Sequence, residues 1–322
     1  MTRTARLSVV CVAMLASCRA ADGTPERAGI PGHAGTTAGP HAPSTIDPFA
    51  FDPELFERKR KPERGDWLAS FHEPGQTFSQ YVAQGPKGLT DPRHVIVLQP
   101  MGEFAKDELA VLSQLQAFTS TYFQLPVRVA KSVPLPDHGF RQRRSGSLAW
   151  TQYSTLDIMK DVLLPRLPSD AVCYLGITMS DLYPDENWNF VFGQASFDKR
   201  VGVYSLIRYT QRFWGRPETD ASRIQFLRRS FKILAHETGH MFSIAHCTAN
   251  ECLMNGSNSL DEMDRNTMHL CPVCLHKLQW NLKFDVRQRY RQLRDIYRQS
   301  HYDDLTGWMD RRLAKLESAR LP

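Results

Sequence analysis

The chain has 322 residues, 42% hydrophobic, 23% charged and 10% aromatic, which excludes a protein disordered throughout. No run of about 18 uncharged apolar residues exists, and the 19 glycines and 20 prolines follow no period, so polytopic membrane, collagen-like and solenoid folds are excluded. A formal charge of +6 is mild; it permits contact with anionic surfaces and gives no argument for nucleic acid.

At the N-terminus Arg3 and Arg6 precede a mostly apolar stretch, Leu7 to Ala16, followed by Leu15-Ala16-Ser17-Cys18. Ten residues span about 15 Å as a helix, roughly half a bilayer core, so the pattern reads as a signal peptide over 1–17 rather than a membrane span. The last four residues resemble the lipobox of bacterial lipoproteins, which implies a lipid on Cys18 and an exported protein held on a membrane surface of the cell envelope. A plain secretory signal is the alternative. Cys11 would leave with the signal. Residues 18–48 are rich in Ala, Gly, Pro, Thr and His with no apolar period, a flexible tether in which His33 and His41 are solvated.

From Phe49 onward the pattern is mixed α/β. Phe49 to Arg93 reads as an irregular, aromatic-bearing wrap. Then come a strand at 94–99, a helix at 106–122, a strand at 126–133, a helix at 151–164 and a strand at 171–178. Asn189 to Ala195 and Val201 to Tyr209 flank Phe197-Asp198-Lys199-Arg200 as a hairpin. Pro217 to Asp220 starts a helix running to Met241, with Ile224, Leu227, Phe231, Leu234 and Ala235 as its apolar face. The basic segment from Val286 to Pro322 reads as helical and packed, with membrane-headgroup contact as the rival reading. The expected architecture is α/β (α+β): a twisted mixed sheet packed on helices. Residues 49–245 form an N-terminal subdomain and 246–322 a C-terminal one.

The chemistry concentrates at 236–274. His236-Glu237-Thr238-Gly239-His240 places two imidazoles four residues apart on one helical face, with a carboxylate beside them. His246 follows ten residues after the first, so the chain must turn near Ser243 to bring it to the same ion. Three imidazoles and one open position make a catalytic zinc arrangement. Cys247, Cys252, Cys271 and Cys274 read as a second, structural zinc site, with two disulfides as the rival in an oxidising compartment. His269 and His276 flank the last pair as bystanders, and Cys173 reads as a buried thiol.

The run HETGHMFSIAHCTANECLM followed by CPVC resembles the archaemetzincin family of metzincin-clan metalloproteases. Asp181-Leu182-Tyr183-Pro184, Asn189 to Ala195, Asp66 to Ala69 and Pro74 to Phe78 look similar as well, so the likeness covers about residues 60–285. The resemblance implies a metzincin-like fold with an active-site helix and a small zinc-bearing C-terminal subdomain. It implies two zinc ions per chain, on His236, His240 and His246 and on the four cysteines, and a peptide or protein substrate. Glu237 would act as general base and acid towards a metal-activated water, and Met254 would be the Met-turn methionine. Ser243 departs from the glycine usual in metzincins, and serine in a left-handed conformation costs about 1 kcal/mol. Asn189 to Ala195 would be an edge strand for substrate pairing, with Tyr204 and Tyr209 as candidate oxyanion donors. The alternative function is a zinc-stabilised protein that binds peptides without cutting them.

Overall fold

A computed structural model describes residues 51–146 and 148–318. The signal, the tether, Cys11, Cys18, His33 and His41 lie outside the described residues. In chain order the elements are α1 (Trp67–Ser70), α2 (Phe78–Ala83), β1 (Val95–Met101), α3 (Lys106–Phe123), β2 (Val127–Val129), β3 (Phe140–Ser145), β4 (Leu148–Ser154) and α4 (Thr155–Asp157). Then follow β5 (Ala171–Thr178), β6 (Asp181–Tyr183), β7 (Gly193–Ala195), β8 (Val201–Ser205), α5 (Asp220–Met241), α6 (Leu260–Arg265), α7 (Pro272–Leu282), α8 (Val286–Gln299) and α9 (Asp303–Ser318).

The main sheet has the order β2-β1-β5-β8-β7. Its first four strands run parallel, and β7 closes one side antiparallel to β8. All eight residues of β5 are buried, as a parallel strand covered on both faces requires. The period of two divides the side chains between two cores. Ile96, Leu98, Cys173 and Leu175 face the helices α3 and α5, while Val97, Tyr174 and Val203 face the segment after α4 that holds Ile158 and Leu163. Burial pushes the Cys173 thiol up, which keeps it inert.

A second sheet, β3-β4-β6, stands beside the first. It corrects the helix expected over 151–164: Thr151 to Ser154 belong to β4, and helical backbone begins only at Thr155. Residues 140–145 supply an antiparallel partner for Leu148 to Tyr153 of β4, and pairing overrides a helical spacing of apolar residues. Other boundaries shrink. The 126–133 strand is three residues long, and the 189–195 strand is regular only from Gly193. The basic tail is two antiparallel helices, α8 and α9, broken at His301, whose φ is 58°.

Asp181 and Arg208 hold the second sheet to the first. The Asp181 carboxylate accepts both arms of the Arg208 guanidinium at 2.6 Å, plus Trp150 Nε1 at 2.9 Å and Gln152 Nε2 at 2.6 Å. Arg208 also lies 3.4 Å over the Phe190 ring. Both residues are buried, so each charge depends on the other. Asp181→Ala is expected to lower unfolding stability by about 3–5 kcal/mol, read from urea melts, because it strands a buried guanidinium. A loss below about 1 kcal/mol would show that the pair is dispensable.

Candidate metal centres

Helix α5 is built to deliver its last turns into the interior. Thr219 caps it by accepting from Ser222 N, and Ser222 Oγ accepts from Thr219 N in return. From Ser230 to Met241 every residue is buried. His236 and His240 share one face there, with their Nε2 atoms 3.0 Å apart.

The helix then stops in a Schellman motif. Ser243 N donates to His240 O at 2.8 Å and Ile244 N to Gly239 O at 3.2 Å, with Ser243 in the left-handed region at φ 65°. Serine is tolerated there because its polar atoms are used. Lys87 N donates to Ser243 Oγ at 3.0 Å, and Gln76 Nε2 donates to Ser243 O at 3.2 Å. Three residues after Ser243 the chain returns, and the ligand nitrogens of His236, His240 and His246 lie within 4.8 Å of one another.

Each imidazole is oriented through Nδ1. His236 donates to Leu253 O at 2.9 Å, His240 to Ile244 O at 2.7 Å, and His246 to both carboxylate oxygens of Glu73 at 3.0 Å. Carbonyls and carboxylates accept only, so the protons sit on Nδ1 and the Nε2 lone pairs converge. His246 Nε2 is buried with no hydrogen-bond partner. Facing lone pairs repel unless a cation lies between them, and an edge of about 3.3 Å is what zinc–nitrogen bonds of about 2.0 Å require. Burial, then the charge of His246, lowers His236 to about 3; burial and its two imidazole neighbours lower His240 as well. Neutral rings are the form that ligates.

Glu237 is buried beside them, and burial pushes its carboxyl up to about 8. A cation among the imidazoles would pull it back down. The backbone of β7 runs close above: a Cβ on Gly193 would lie 2.8 Å from Tyr204 Cβ and 3.2 Å from Glu237 Cγ. Met254 packs against the helix turn between the two histidines, where a Cβ on Gly239 would lie 2.6 Å from Met254 Sδ. Tyr204 and Tyr209 are core residues. The Tyr204 hydroxyl is buried without a partner, and the Tyr209 hydroxyl meets Met263 Sδ at 3.9 Å.

Cys247, Cys252, Cys271 and Cys274 form a second buried group whose sulphurs lie within 4.8 Å of one another. The five described cysteines are free thiols, so the disulfide alternative is absent from this structure. Cys247 and Cys271 are 3.7 Å apart, near the edge of about 3.8 Å in a tetrahedron with zinc–sulphur bonds of about 2.3 Å. Hydrogen bonds from the three other sulphurs push the Cys247 thiol well down, while burial pushes the Cys252 thiol well up. The loop is fixed by Asn255, which accepts from Cys252 N at 2.9 Å and donates to Cys247 O and Asn250 O at 2.6 and 2.9 Å. His269 stacks on Trp308 and His276 on Phe78; both stand apart from the group.

Glu73, Gln76 and Asn255 support the site without a signal in the sequence around them. Gln76 Oε1 also accepts from Ala245 N at 3.2 Å and from Lys277 Nζ at 3.0 Å, so one amide brackets the turn leading to His246. No spacing signals Glu73 or Gln76, because their partners at the site lie more than 160 residues away.

The family model described as Peptidase family M54 matches residues 97–280. Human Archaemetzincin-2 is 34% identical over 273 residues, covering 76% of this chain and 76% of its own length. Human Archaemetzincin-1 is 31% identical over 260 residues, covering 71% of this chain and 51% of its own. A crystal structure of archaemetzincin from Methanopyrus kandleri is 29% identical, covers 61% of this chain and 99% of its own, and aligns with a TM-score of 0.48. The sequence matches decide the matter: the chain belongs to peptidase family M54, the archaemetzincins, and is a zinc metallopeptidase.

Proposed function

We propose that His236, His240 and His246 hold the catalytic zinc, that Glu237 is the general base and acid, and that the four cysteines hold a second zinc. The observation that carries this reading is the convergence of three Nε2 lone pairs beside a buried carboxylate. Zinc bound there supplies Lewis acidity, polarising a peptide carbonyl and acidifying water. Glu237 takes the proton of the attacking water and returns it to the leaving amine. β7 lies at the outer side of its sheet, and a substrate pairing along it is laid across Glu237. Cleavage of a defined peptide library, with zinc counted by mass spectrometry, tests the reading. Two ions per chain and peptide-bond hydrolysis are expected; a chain that binds peptides uncut would sustain the alternative.

Glu73 serves as the positioning carboxylate for His246. Glu73→Ala is expected to weaken zinc at the histidine site by roughly 10–100-fold in competition with a chromophoric chelator, with Glu73→Gln in between. Equal affinities in all three proteins would remove that role.

The membrane anchor belongs to the same proposal and is supported by Leu15-Ala16-Ser17-Cys18. No described helix is long and apolar enough to cross a membrane. Metabolic labelling with an alkyne fatty acid should mark the wild-type chain and spare Cys18→Ser. Equal labelling of both would rule out acylation at this cysteine.

A further inference from the structure

Remote from the histidine end of α5, its N-terminal half lines a cavity of about 510 Å³ together with α3 and α8. Val111 and Phe118 of α3, Ile224, Leu227 and Phe231 of α5, and Ile296 of α8 give it apolar walls. Cavities of about 300–1,000 Å³ with apolar walls and a few polar groups are the usual form of small-ligand sites. Ile224 remains 38% exposed, an apolar surface that nothing in the described fold covers.

The polar groups at this site are unequal in what they still offer. The Glu108 carboxylate is consumed: it meets Arg212 at 2.6 Å and accepts from Ala105 N at 2.7 Å. Glu218 accepts from Gln211 N at 2.7 Å and from Ser222 Oγ at 2.8 Å. Arg223 is engaged only weakly, with Asp220 at 2.8 Å, in a pair whose side chains are 65% and 95% exposed. Water screens such a pair, so a better-placed anion displaces it readily. His301 adds an imidazole to the same lining. Gln114, Thr210, Gln299 and Ser300 add neutral polar groups, and of the two guanidiniums in the lining Arg223 is the one whose ion pair is left largely to water, beside an apolar chamber. Two acidic residues in the same lining disfavour a polyanion.

We propose that this cavity binds a long-chain carboxylate, its hydrocarbon between α3, α5 and α8 and its head group on Arg223 and His301. The volume and apolar walls suit the hydrocarbon, and the loosely paired Arg223 guanidinium suits a single negative charge at its head. The proposal is independent of the two metal groups, since no histidine or cysteine ligand lines the cavity.

The test titrates dodecanoate, dodecanol and dodecyl phosphate into the full zinc-loaded chain by calorimetry. Dodecanoate should bind saturably with one site per chain and outcompete the other two. Arg223→Glu, a surface change that should leave the melting temperature and peptide cleavage as in the wild type, should weaken dodecanoate by about tenfold or more. Leu227→Trp, which fills the chamber, should weaken all three. Absence of saturable binding, an alcohol or phosphate that binds as tightly as the acid, or an Arg223→Glu chain with wild-type affinity would each overturn the proposal.

Discussion

Glu237→Gln should leave a folded, zinc-loaded protein whose kcat/KM falls by about 10²–10⁴-fold on any peptide that the wild type cuts. The substitution keeps the volume of the side chain and removes its ability to take a proton. Zinc content should hold, because the three converging nitrogens belong to His236, His240 and His246 and not to Glu237. The melting temperature should hold or rise, because a buried ionisable group is replaced by a neutral one. The result therefore separates catalysis from binding: KM changes little while kcat collapses. Activity within about tenfold of wild type would mean that another group handles the proton and that the mechanism is wrong.

The second large effect is expected at the cysteine group. Cys274→Ala should cost the chain one zinc ion and most of its stability. Structural zinc sites contribute apparent free energies of about 10–16 kcal/mol, as large as the whole net stability of a typical domain. Here the cost is aggravated by burial, since Cys252, Cys271 and Cys274 are almost wholly inside. Loss should spread to the other centre. Cys247 follows His246 directly, and Cys247 N donates to Met254 O at 2.8 Å, so slack in the cysteine loop displaces both the third imidazole and the methionine packed on α5. Zinc analysis, thermal melts and peptide cleavage should fail together. A Cys274→Ala chain that keeps its zinc count and its melting temperature would show that the sulphurs bind no metal.

What the sequence made legible was local. The four-residue step from His236 to His240 is a property of one helix, and Cys271-Pro-Val-Cys274 is a property of its own first turn, with Pro272 opening α7. The strand at 171–178 was readable because burial on both faces leaves a continuous apolar run. The hairpin around Phe197 to Arg200 was readable from its turn. Failures share a cause. Thr151 to Ser154 looked helical until residues 140–145 were placed beside them. Glu73 and Gln76 act on His246 and Ser243 across the whole fold, and nothing in their own neighbourhood announces it. The left-handed serine was legible as a strained position. Its remedy, Lys87 N on the hydroxyl, was not.

That remote clamp limits how far the enzyme can be trimmed. A fragment cut to 97–280, the span of the family match, would keep His236, His240, His246, the four clustered cysteines and Glu237. It would discard the carboxylate behind His246, the amide bracketing Ser243 and Ala245, and the Trp67 ring that lies edge-on to His246 at 5.3 Å. A dissected catalytic unit must begin upstream of Trp67, and recombinant designs that start at the first strand of the main sheet should be abandoned in favour of ones that retain this leading arm.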